Sequence, residues 1–102
     1  MNIRYEILDK SLQRQLPKTD TPLPFGQLRT NHMLLVNYKD GEWQDPRIVP
    51  YGPVSLMPGA MCLHYGQTIF EGAKAFIHAD GEIFLFRFDK NCERMNHSAR
   101  NL

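Results

Sequence analysis

The sequence predicts a mixed α+β chain with antiparallel strand pairing, and three observations carry that expectation. His32-Met33-Leu34-Leu35-Val36-Asn37-Tyr38 is an apolar-rich run that stops at a turn signal, Lys39-Asp40-Gly41-Glu42. Lys74 to His78 and Glu82 to Phe88 flank Ala79-Asp80-Gly81, and Asp-Gly between strand-type runs marks a hairpin. After Asp89, the residues Cys92, Met95, Ala99 and Leu102 recur at helical spacing. Strands joined by tight turns pair antiparallel, and one amphipathic helix follows them.

In chain order, Met1 to Pro24 comes first. Ile3, Ile7 and Leu8 suit one face of a short helix or strand. Leu16 to Pro24 is broken by Pro17, Pro22 and Pro24 and reads as an extended arm without a core of its own. Phe25-Gly26 ends that arm. The run from His32 to Tyr38 is apolar enough to be a strand covered on both faces. Gly41 supplies positive φ to the next turn. Trp43 and Arg47 to Tyr51 form a return strand, interrupted by Pro46 and stopped near Pro50. Val54-Ser55-Leu56 alternates briefly before Met57-Pro58-Gly59. From Ile83 to Phe88 both sides are mostly apolar, as in a central strand. Asp89 is placed to cap the last helix by accepting from its first free amides.

Composition narrows the function classes. The chain has 102 residues, enough for one small domain with a modest core. A net charge of +1, with no cluster of Lys and Arg among aromatics, gives no purchase on nucleic acid or an anionic membrane. The N-terminal residues lack the apolar core of a signal peptide, and the apolar run Met33 to Val36 is far too short to cross a bilayer. Cys62 and Cys92 make neither a disulfide framework nor a metal-ligand spacing. They read as reduced, buried thiols of a cytoplasmic protein.

The chemistry-bearing stretch is Cys62 to Phe76. It concentrates aromatics (Tyr65, Phe70, Phe76) and small residues around only two charges, Glu71 and Lys74. Gly66 and Gly72 mark sharp turns or close approaches. Rings beside such backbone suit an apolar pocket with a few polar handles. The plainer reading is a short buried helix capped by Gly72, its rings filling core. Glu71, between Phe70 and Gly72, needs a hydrogen-bond partner if partly buried and reads as holding the turn at Gly72. Arg94 lies near the start of the last helix, where free amides and a guanidinium together favour an anion; the alternative is a solvated surface arginine. His32 and His64 have no partner at ligand spacing, so a structural role outweighs a metal or acid–base one, and no metal site is expected.

These residues also carry a resemblance. His64-Tyr65-Gly66-Gln67-Thr68-Ile69-Phe70-Glu71-Gly72-Ala73-Lys74-Ala75-Phe76 is similar to the HY-x(4)-FEG-x-KAF segment of branched-chain amino acid aminotransferases, class IV pyridoxal-phosphate enzymes of fold type IV. Phe25-Gly26 with Asn31-His32-Met33, then Gly41-Glu42-Trp43 before Pro46-Arg47-Ile48, then Leu85-Phe86-Arg87 with Arg94-Met95, follow in the same order. The likeness runs from about Leu23 onward. It implies an α+β small domain over residues 25–102, an antiparallel sheet with helices packed on one side, preceded by the arm at 1–24. It implies that Arg94 binds the phosphate of pyridoxal 5'-phosphate, and that Phe25, Tyr65 and Phe70 line the pocket for an aliphatic side chain. Gly66-Gln67-Thr68 varies in the family and leaves the pocket's shape open.

Among the lysines at 10, 18, 39, 74 and 90, only Lys74 sits in the aromatic stretch, and it matches a family position that does not anchor the cofactor. The resemblance puts the anchoring lysine in a larger second domain after Leu102, so the chain is expected to be a fragment, with no catalytic residue of its own and no turnover alone. The complete enzyme is expected to be a homodimer that exchanges amino groups between leucine, isoleucine or valine and 2-oxoglutarate. D-amino acid transaminase and aminodeoxychorismate lyase are the rivals within the class, and the motif set argues against both. A stand-alone, non-catalytic module that binds a partner through the proline-rich arm is the rival outside it.

Overall fold

The computed structural model describes residues 2–18 and 21–102. Met1, and Thr19 and Asp20 of the proline-broken arm, lie outside them. The chain divides into two units, Met1–Val54 and Ser55–Leu102. Strands, antiparallel sheets and helices are all present, the mixed content that the sequence predicts.

The first unit is a three-stranded sheet in the order β1 (Arg4–Tyr5), β3 (Glu42–Pro50), β2 (His32–Lys39). β2 and β3 pair antiparallel, with Lys39 opposite Glu42. The two residues between them, Asp40 and Gly41, have φ of 55° and 84°. Both central positions are left-handed, as in the turn whose twist matches a two-residue hairpin. Next to it Tyr38 and Trp43 meet edge to face, ring centroids 5.0 Å apart.

The interruption expected at Pro46 is absent: β3 runs straight through it. The register shifts there instead, Leu35 facing Arg47 and Asn37 facing Gln44, so Asp45 and Pro46 together oppose Val36. Asp45 takes a left-handed φ of 48° at this bulge. A bulge leaves a residue outside the ladder, which is where a residue without an N–H is tolerated. Arg47 pins the bulge from its Nη1, donating to Asn37 Oδ1 at 3.0 Å and to Asp45 Oδ2 at 2.8 Å.

The start of the arm is tied to this sheet. β1 adds to β3 in parallel, Arg4 beside Arg47 and Tyr5 beside Ile48. The Leu8 N–H donates to His32 Nε2 at 3.0 Å, the Arg14 N–H donates to Asn31 Oδ1 at 2.8 Å, and Asn31 Nδ2 donates back to Arg14 O at 3.2 Å. His32 and Asn31 thus act as structural clips. Met33, Leu35, Val36, Ile48 and Val49 are half-buried and come nearest to a core. Among the described residues no side chain is fully buried.

In the second unit, a one-turn helix α1 (Met61–His64) is followed by irregular chain, then by the hairpin β4 (Ala75–Ile77) and β5 (Ile83–Leu85), then by α2 (Phe88–Ala99). Val54-Ser55-Leu56 forms no strand. The hairpin turns at His78–Gly81: the Gly81 N–H donates to His78 O, Gly81 has φ of 87°, and Asp80 Oδ1 accepts from the Glu82 N–H at 3.0 Å. A glycine in the left-handed region after a type I turn is the usual device of a three-residue hairpin loop. The apolar sides of β5 predict a central strand, yet its one partner among the described residues is β4. Two strands cannot cover their own faces, so Ile83 and Leu85 stand exposed.

The last helix departs from expectation in three ways. It starts at Phe88, so Asp89 lies in its first turn and makes no cap; the N-cap is Arg87, left-handed at φ 48°, and not part of β5. It stops at Ala99, which leaves Leu102 outside the apolar stripe. Cys92, on that stripe, is exposed rather than buried, as is Cys62.

Candidate functional site

The best-built cluster of polar side chains lies wholly in the second unit. The segment Phe70 to Gly72 has no regular structure, and one face of α2 holds it in place. Asn91, Arg94 and Ser98, at i, i+3 and i+7, share that face. Asn91 and Ser98 are the half-buried residues of the helix. The helix therefore engages with a polar stripe, while the apolar stripe that the sequence marks as its inner face is left open.

Glu71 is the hub. Arg94 Nε donates to Glu71 Oε2 at 2.7 Å, and Arg94 Nη2 donates to Glu71 Oε1, a two-pronged ion pair. Asn91 Nδ2 donates to Glu71 Oε1 at 3.0 Å and to Gly72 O at 2.7 Å. The Gly72 N–H donates to Glu71 Oε1 at 3.2 Å. The Glu71 side chain is only 12% exposed, and that of Arg94 is 66% exposed. The Arg94 guanidinium, and next the Asn91 amide, hold the Glu71 carboxyl down at about 2, far below the usual carboxylate range. The same carboxylate raises the pKa of Arg94. Both groups stay charged across the physiological range. Arg94 Nη1 has no hydrogen-bond partner among the described residues, so part of a fixed cation faces outward.

Two depressions border the cluster. One, of about 440 Å³, is lined by Phe70, Glu71, Gly72, Arg94 and Ser98. The other, of about 480 Å³, runs along Gly72, Ala73, Lys74, Phe76, Phe86 and Asn91. Phe70 and Arg94 therefore share a hollow. Tyr65 is in the same unit, at the C-terminal cap of α1, and does not line that hollow. Phe25 belongs to the first unit. It sits in a turn closed by the Gln27 N–H on Pro24 O, with Gly26 at φ 73°, and its ring is fully exposed.

Arg94 is the seventh residue of α2, well past the free amides of the first turn, so the helix terminus adds nothing to its grip on an anion. Glu71 has the partner its setting demands, and it does hold Gly72. Gly66 is left-handed at φ 64°, whereas Gly72 is neither left-handed nor crowded, since a Cβ there meets nothing within 4 Å. His64 Nε2 hydrogen-bonds Pro58 O at 2.6 Å, a local structural contact. Among the described residues no group of His, Cys, Asp and Glu is arranged to hold a metal ion, and no helix is long and apolar enough to cross a membrane. Asn91 and Ser98 escape a reading of the sequence. Their only signal is helical spacing relative to Arg94.

No family model matches the chain. Comparison with curated proteins finds three instructive relatives. Branched-chain-amino-acid aminotransferase 2 of Bacillus subtilis is 51% identical over 84 residues, which are 80% of this chain and 23% of that protein. A probable branched-chain-amino-acid aminotransferase of Staphylococcus epidermidis is 51% identical over 87 residues, 83% of this chain and 24% of its own length. The branched-chain-amino-acid aminotransferase of Mycobacterium tuberculosis is 48% identical over 79 residues, 76% and 22% respectively. The chain spans less than a quarter of the length of these relatives.

Proposed function

We propose that this chain, homologous to part of the branched-chain-amino-acid aminotransferases over about four-fifths of its length, is the small-domain portion of such an enzyme. Residues 25–102 form that domain and 1–24 its arm. The observation that carries the reading, beside the identity itself, is the outward-facing Arg94 guanidinium, held in a hollow next to the Phe70 ring. Such a cation suits the phosphate of pyridoxal 5'-phosphate. When bound, that cofactor supplies an electron sink for moving an amino group between an amino acid and a 2-oxo acid.

The residues present fit one end of the cofactor. Arg94 would hold the phosphate through the N–H groups that Glu71 leaves free, and the Ser98 hydroxyl in the same hollow could donate a further hydrogen bond. Phe70, beside that hollow, offers apolar surface of the kind a leucine, isoleucine or valine side chain needs; the pocket-lining roles of Tyr65 and Phe25 rest on the family resemblance. The Tyr65 hydroxyl orients a polar end of substrate or cofactor. The covalent anchor comes from a lysine outside these residues, since Lys74 holds a family position without that role. The protein works as a cytoplasmic homodimer, with 2-oxoglutarate as amino-group acceptor.

A substrate panel on the full-length protein tests this. Transamination of leucine, isoleucine and valine, with D-alanine and aminodeoxychorismate inert, is expected. Preference for either of the last two would move the protein to another branch of the class. The 102-residue chain alone is expected to show no turnover, and measurable turnover would overturn the division of labour.

A further inference from the structure

We infer that Glu71 and Asn91 are positioning residues for Arg94, fixing its guanidinium plane so that the remaining N–H groups point at a phosphate. The inference rests on the reading that Arg94 grips the cofactor's phosphate. It adds a function to Glu71, which the sequence marks only as a brace for Gly72.

The geometry carries it. An arginine side chain has many rotamers, and one that is 66% exposed would sample them. Two parallel hydrogen bonds to one carboxylate fix both the position and the plane of the guanidinium. The carboxylate is itself held, by Asn91 on Oε1 and by the Gly72 N–H. Asn91 in turn is anchored one turn before Arg94 on the same helix and grips Gly72 O. The chain of contacts thus runs from helix backbone to loop backbone and back to the guanidinium, with no free rotor in it.

An opposite role is equally concrete. A carboxylate beside a phosphate-binding cation offsets its charge, so removing Glu71 could strengthen anion binding. A third is purely structural, with Glu71 holding the 70–72 segment and nothing more. The three differ in what they do to a ligand with and without phosphate.

The test uses the full-length protein, with equilibrium dialysis against pyridoxal 5'-phosphate, pyridoxal and inorganic phosphate. Arg94→Ala is expected to weaken the phosphorylated cofactor on the order of 100-fold and pyridoxal hardly at all. Glu71→Gln and Asn91→Ala are each expected to weaken it on the order of 10-fold, again sparing pyridoxal. Glu71→Gln combined with Arg94→Ala should be no worse than Arg94→Ala alone, because the two act as one unit. If Glu71→Gln does not fold, Asn91→Ala, which leaves the ion pair's charges in place, carries the test. Tighter binding by Glu71→Gln, or equal losses for pyridoxal and its phosphate, would overturn the positioning role. An Arg94→Ala protein that keeps full affinity for the phosphorylated cofactor overturns the underlying reading instead.

Discussion

The two units hold themselves together by different means. The first is a backbone structure: β2 and β3 pair over most of their length, a left-handed turn closes them, and a bulge absorbs Pro46. The second has short strands of three residues, an irregular stretch from Tyr65 to Lys74, and a side-chain knot of Glu71, Asn91 and Arg94. The candidate site lies in the second. Backbone ladders set strands in register but leave few N–H groups and side chains free to turn toward a ligand. An irregular segment pinned by a few charged hydrogen bonds does the reverse. The cost is that the site's geometry hangs on three side chains.

That contrast can be broken from either side. The largest expected effect is in the second unit: Arg94→Ala should cut affinity for pyridoxal 5'-phosphate on the order of 100-fold while amide exchange in β2 and β3 stays as it was. Slower or faster exchange in the first unit would mean that the units are not independent. Next comes the turn of the first unit. Gly41→Val forces a β-branched residue to φ 84° and should destabilise the β2–β3 pair by about 1–2 kcal/mol, read as lost exchange protection in Leu34 to Gln44. An unchanged pair would show that the turn follows the ladder and does not close it. Smaller still, Trp43→Ala removes the edge-to-face pair with Tyr38 and should cost about 1 kcal/mol in thermal or denaturant unfolding.

The smallest effect concerns pH. Glu71 has its carboxyl lowered, so its pairing stabilises the folded second unit fully above the ordinary carboxylate value of 4.5 and loses that contribution as pH falls toward about 2. Because Arg94 is well exposed, solvent and salt screen the pair and the effect is modest. Carboxyl carbon NMR of Glu71 should show its midpoint near the lower value. A midpoint at the ordinary value would mean that the knot does not form in solution.

The hairpins are legible in the sequence because Asp40-Gly41 and Asp80-Gly81 specify turn geometry locally. The passage of β3 through Pro46 is not, because a bulge depends on what lies opposite, here Val36. Nor is β1, a two-residue pairing that joins chain positions some forty residues apart. Asp89 has the chemistry of a cap and does not act as one, since the chain enters α2 through the left-handed Arg87, which no local rule favours. At the candidate site Arg94, Phe70 and Glu71 stand out through resemblance and composition. Asn91 does not, since an asparagine on a helix usually means nothing. The stripe of Cys92, Met95 and Ala99 misleads for a physical reason: periodicity reports which face wants cover, and this unit leaves that face open.

β1 matters, too, for what it prevents. A nine-residue strand such as β3, stripped of its outer neighbour, would present a row of unsatisfied peptide groups to any passing extended chain. The short piece at Arg4 and Tyr5, its continuation held by His32 and Asn31, covers that row at Arg47 and Ile48. Nicking or trimming the first dozen or so residues would then do more than shorten a tail: it would uncover the peptide groups at Arg47 and Ile48 for another extended chain to pair with.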